Sequence, residues 1–81
     1  MSNFSVFPNP NNGNFGVSVE LDNSLEFSLT LINTLGQRIQ TKKYQTNILN
    51  EEYNFSELPS GIYYLLFENK NEVSVKPVAI E

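Results

Sequence analysis

Eighty-one residues, 40% of them apolar, suffice for one small domain, and a domain of this size withdraws only about 60–65% of its unfolded surface from water. Nine acidic against five basic residues leave a net charge of -4, which opposes long-range attraction to nucleic acid or anionic lipid. Neither cysteine nor histidine is present, so disulfides, thiolate or imidazole metal sites and the usual nucleophiles and general bases are excluded.

Met1 to Ser5 read as a lead-in, with the domain expected from Val6 to Glu81. No basic and apolar leader opens the chain and no run approaches the length of a membrane-spanning helix, so direct membrane insertion is not expected. "VFPNPNNGNF", Val6 to Phe15, then concentrates turn chemistry. Proline fixes φ, asparagine bonds nearby backbone, and glycine supplies positive φ at no steric cost.

From there the apolar period is two. In "NFGVSVEL" Phe15, Val17, Val19 and Leu21 alternate with small or polar residues, as a strand with one dry face requires. "LEFSLTLI" repeats the pattern with Leu25, Phe27, Leu29 and Leu31, and Asp22-Asn23-Ser24 between the runs reads as a tight hairpin. "QRIQTKKYQ" holds Ile39 as its only aliphatic residue and reads as an edge strand guarded by Lys42 and Lys43. Ile48, Tyr53, Phe55 and Leu58 form a looser apolar series, expected as a short strand and a crossover loop.

"GIYYLLFE" is continuous enough for a central strand, with Tyr63, Leu65 and Phe67 toward the core and Ile62, Tyr64 and Leu66 on the other side. "NKNE" reads as the next hairpin, and Pro77 restricts "VSVKPVAI" to an edge or a bulge. "PNNG", "NTLG" and "LPSG" each end in a glycine, so Gly13, Gly36 and Gly61 are expected in left-handed positions after turns. The sum is an all-β, antiparallel, immunoglobulin-like β-sandwich of about seven short strands, with a small open barrel as the alternative.

Candidate chemistry is thin. Glu51 and Glu52 are neighbours on a strand and face opposite ways, and Glu20 with Asp22 are better explained as solvated surface. Asp22 with Asn23 is a poor calcium site and a good turn. No cofactor or metal site is expected. The "NFS" sequons at Asn3 and Asn54 read as chance occurrences. The aromatic residues suit core packing better than sugar stacking, with Tyr44 and Tyr64 the candidates for exposure.

Four stretches, "VFPNPNNGNFGV", "LTLINTLGQRI", "FSELPSGIYYLLF" and "VSVKPVAIE", occur in that order. Together they resemble the C-terminal sorting domain of the type IX secretion system of Bacteroidota. The resemblance is carried by Pro8, Asn9, Pro10 and Gly13, by Leu35, Gly36 and Gln37, and by Ser56, Leu58, Gly61, Ile62 and Tyr63. It implies a non-catalytic C-terminal label behind an upstream cargo protein. Such a label crosses the periplasm, meets an outer-membrane translocon and its shuttle protein, and reaches the cell surface or the medium. A sortase-like protease removes it in many members.

The resemblance further assigns recognition to the terminal segment, here Val75, Lys76, Pro77, Val78, Ala79, Ile80 and Glu81. Family members commonly end in a lysine-rich strand, whereas this chain offers only Lys76 and closes on Glu81. An edge of this kind suits strand addition, in which unpaired backbone groups meet a partner's strand. The alternative is an accessory carbohydrate- or protein-binding module of a secreted hydrolase or adhesin.

Overall fold

A computed structural model of the whole chain, Met1 to Glu81, contains five strands and no helix: β1 (Asn3–Phe7), β2 (Asn14–Ile32), β3 (Arg38–Asn54), β4 (Gly61–Glu68) and β5 (Val73–Ile80). All strand pairs are antiparallel. The expected class therefore holds, with five strands, two of them long, in place of about seven short ones. The difference lies in β2 and β3, which form one extended ribbon that folds over in the middle.

That fold sits where a hairpin was expected. Both apolar runs of β2 pair with β3: Asn14 to Glu20 opposite Asn54 to Ile48, and Leu25 to Ile32 opposite Thr46 to Arg38. Between the pairs Glu20–Ile48 and Leu25–Thr46 the register shifts, so Leu21 to Ser24 stand opposite Asn47 alone. Asp22-Asn23-Ser24 is thus a large bulge that bends one strand, not a turn that ends it, because extra residues on one side of a ladder raise its local bend and twist. The buried apolar positions of β2 stay odd-numbered on both sides of the bulge, and the ribbon closes on its own apolar face.

Two leaves result. One holds β1, the first half of β2 and the second half of β3; the other has the order β3, β2, β4, β5. Phe4 of β1 lies against Phe67 of β4 with ring centroids 6.0 Å apart, so the leaves meet face to face. Sixteen buried apolar residues form one core, including Phe15, Val17, Val19, Phe27, Leu29, Leu31, Tyr63, Leu65 and Phe67. Each of these was expected inside. β4 is central, and β3 pairs with β2 alone, so it is the edge its lysines suggested.

Two details differ from the sequence reading. Residues 3 to 5 of the expected lead-in are already strand, with Phe4 in the core. In β3 it is Leu49 that turns inward while Ile48 is 58% exposed, because the inward phase is set by Tyr53 four residues on. Gly13, Gly36 and Gly61 all have positive φ, 102°, 81° and 157°, as expected of glycines that follow turns.

The turns are held by asparagine side chains as much as by glycine. Asn33 Oδ1 accepts from the amides of Leu35 and Gln37, and Asn69 Oδ1 accepts from those of Asn71 and Glu72. Asn12 and Asn54 do the same two residues ahead. Such Asx turns give the backbone a partner where the ladder has stopped.

One hydroxyl pair ties the folded ribbon to itself. Tyr44 and Tyr53, both on β3 but on different leaves, approach to 2.9 Å through their hydroxyls. Tyr44 also stacks on Phe27, and Lys42 lies 5.1 Å from the centre of the Tyr53 ring. Burial raises both phenol pKa values, and Glu51 pushes the same way; the mutual hydrogen bond raises Tyr53 and partly offsets the rise at Tyr44. The folded state therefore holds these protons more tightly than the unfolded chain does. Stability is expected to be level up to about pH 9 and to fall above about pH 10, where the unfolded tyrosines ionise first. Urea titrations across that range check it, and Tyr53→Phe should flatten the alkaline decline.

Candidate functional site

Strand phase decides what β5 can offer. Ala79 turns both its N–H and its C=O away from β4, and by alternation so does Pro77. The N–H that proline lacks is therefore one that would point outward, and the ladder to β4 loses nothing. On the inner face Val78 is fully buried and Ile80 is 4% exposed, so the end of the chain is part of the core. Glu81 stays exposed.

The outward edge of that end is occupied. The opening turn crosses from β1 in one leaf to β5 in the other and pairs with it in parallel through Asn11 and Ile80. Asn11 N–H donates to Ala79 O at 2.9 Å and Glu81 N–H donates to Asn11 O at 2.8 Å. One step earlier the Asn9 side chain donates from Nδ2 to Pro77 O, 2.8 Å, and accepts at Oδ1 from Ala79 N–H, 2.8 Å. The edge expected to be open for strand addition is closed from Pro77 to Glu81. Only its first part, around Val73 and Val75, has no outer partner, and those side chains are 64% and 48% exposed.

The turn itself is rigidly built. Asn11, only 8% exposed, donates from Nδ2 to Pro8 O and accepts from Gly13 N–H. Gly13 O accepts from Phe55 N–H at 2.7 Å, which brings the segment after β3 to the same place. There Leu58 N–H bonds Phe55 O, the Tyr63 hydroxyl donates to Pro59 O at 2.7 Å, and Gly61 pairs with Ile80.

The fold thus gathers Pro8, Asn9, Pro10 and Gly13, then Leu58, Gly61 and Tyr63, and finally Pro77 to Glu81 at one end of the molecule. The middle motif stays apart: Leu35, 82% exposed, and Gly36 belong to a turn whose hydrogen bonds stay within Asn33–Gln37. Sequence reading found the members of this cluster but not the Asn9 bonds, which span 68 and 70 residues. A proline on the outer edge of a final strand, opposite an asparagine-rich turn, is the signal that could have suggested them.

The other candidates scatter. Glu51 is half-buried and Glu52 exposed on alternate sides of β3, and Asp22 accepts from the Ser2 hydroxyl at 3.0 Å. No group of three or more aspartate or glutamate side chains converges as a metal site would need. Tyr44, a candidate for sugar stacking, spends its ring on Phe27 and its hydroxyl on Tyr53.

Comparison with protein families gives one match: the model described as a secretion system C-terminal sorting domain covers residues 5–81. The chain belongs to that family. A search of curated proteins gives no match. As a sorting domain of the type IX secretion system, the chain is a C-terminal signal for export of an upstream cargo across the outer membrane, to the cell surface or the medium. Of the motifs that carry the family resemblance, the opening one and the one around Leu58, Gly61 and Tyr63 meet the terminal strand at the closed end of the sorting domain, and the middle one lies apart.

Proposed function

We propose that this sorting domain is a non-catalytic label read at the end where the opening turn and the terminal strand meet. In this reading a shuttle protein and the outer-membrane translocon receive the domain after its cargo has reached the periplasm, and a sortase-like protease then removes it. Val75 to Glu81 form the recognised segment of a domain that includes β1 from Asn3 onward. The observation that supports it best is that the first and last motifs are hydrogen-bonded to each other although 68 and 70 residues separate the partners. The chain has no histidine or cysteine and no three carboxylates come together, which supports a role without acid-base or nucleophilic chemistry.

The experiment is export of a periplasmic fluorescent protein fused ahead of this domain, in a host with the secretion system. Deleting Val75 to Glu81 should abolish delivery, but it also removes Val78 and Ile80 from the core. A second variant, Val75→Ser with Lys76→Ser, changes only exposed side chains and should leave the fold intact while lowering export. Wild-type delivery in both would reject a role for the terminal strand.

A further inference from the structure

We propose that Asn9 is a positioning residue for the export signal: its carboxamide clasps the outer edge of the C-terminal strand and holds the last residues in the form that is recognised. The proposal rests on the export reading above and adds to it a signal made of two separated pieces. Asn9 donates to the Pro77 carbonyl and accepts from the Ala79 N–H, both at 2.8 Å. The two partners fix the orientation of the amide, since a carbonyl can only accept and an N–H can only donate.

An amide placed this way presents one donor and one acceptor side by side, as the N–H and C=O of a single residue in a neighbouring parallel strand would. Backbone bonds of Asn11 supply the next rung, to Ala79 O and from Glu81 N–H. Four consecutive bonds therefore satisfy the edge from the Pro77 carbonyl to the Glu81 amide, and Pro77 needs no further donor partner. Few side chains can replace this. Alanine leaves Pro77 O and Ala79 N–H to water, glutamine sets the amide one methylene farther out, and an ionised aspartate puts an acceptor against the Pro77 carbonyl.

Asn9 is exposed and takes no part in the apolar core. Bonds of this kind in contact with water contribute little to global stability, so the order of one edge is what depends on them. Asn11 is buried and builds the turn itself, which makes Asn9 the residue to change.

The test uses the full chain, with Asn9→Ala and Asn9→Asp, and reads amide hydrogen exchange by NMR beside export of the corresponding fusions. In Asn9→Ala the Ala79 and Glu81 amides should exchange about tenfold faster while the Leu65 amide is unchanged. Asn9→Asp adds a signature that a general loss of stability would not produce. Below about pH 4 the protonated acid again has one donor for Pro77 O, so protection of Glu81 returns; at pH 7 it is lost. Both fusions should be exported severalfold less than wild type although their thermal melting is close to it. Unchanged exchange at Ala79 and Glu81 in both variants would overturn the clasp, as would accelerated exchange with undiminished export. A wild-type fusion that stays in the periplasm rejects the export reading instead, and the exchange results still decide whether Asn9 holds the strand.

Discussion

Phe67→Ala should cost the isolated domain about 3–5 kcal/mol in urea unfolding, the range for removing a large buried aromatic ring. Chains of this length hold roughly 4–12 kcal/mol in total, so the variant should be near or beyond its folding limit. Three features put Phe67 at the top. It is fully buried on the central strand β4, it touches Phe4 from the opposite leaf at 6.0 Å, and it packs on Phe27 of β2 at 5.0 Å. Phe27 in turn stacks on Tyr44 at 5.5 Å, so one ring links three strands and both leaves. A cavity here cannot be filled from β1 without moving Phe4 away from the positions paired with β2. Phe67→Leu, which keeps most of the volume, should lose less than about 1.5 kcal/mol. Equal, small losses for both variants would show that the leaves are not held together at this ring.

Period-two alternation made the core legible, because a residue's face on a strand follows from its parity alone. Phe15, Val17, Val19, Phe27, Leu29, Leu31, Tyr63, Leu65 and Phe67 could all be assigned inward before any coordinates, and all are buried. Parity is silent about what interrupts a strand. Asp, Asn and Ser favour a hairpin and a bulge for the same reason, their short side chains bonding local backbone, and only the length of the partner strand separates the two outcomes. β3 is long enough to pair with both halves of β2, and that pairing is a long-range fact. Ile48 and Leu49 illustrate a second limit: adjacent aliphatic residues in a polar strand leave the phase undecided until a neighbour such as Tyr53 fixes it. The site was legible as motifs and hidden as an arrangement. Nothing local in "PNPN" says that its first asparagine spends both ends of its amide on residues 77 and 79.

Gly13→Ala should lower stability by about 2–4 kcal/mol, the second largest loss expected of a single substitution, from about 1–2 kcal/mol of backbone strain at positive φ and a further cost of overpacking. At φ 102° a side chain is strained whatever the space around it, and here there is none: a Cβ would stand 2.7 Å from both Phe55 O and Ser56 Cα. Those are backbone atoms, so neither can swing aside as a side-chain tip would. Gly36 provides the control. It also has positive φ, 81°, but a Cβ there meets nothing within 4 Å, so Gly36→Ala should lose only the strain, about 1–2 kcal/mol. Urea midpoints of the two variants measured side by side therefore separate strain from contact. Equal losses would mean that the opening turn is not pressed against the segment after β3. The larger loss at Gly13 carries a structural consequence with it, because Gly13 O holds Phe55 N–H and its own N–H holds Asn11 Oδ1. A turn pushed off Phe55 takes Asn11 with it, and Asn11 supplies two of the four bonds on the edge of β5. Amide exchange at Glu81 should accordingly quicken in Gly13→Ala and stay at the wild-type rate in Gly36→Ala.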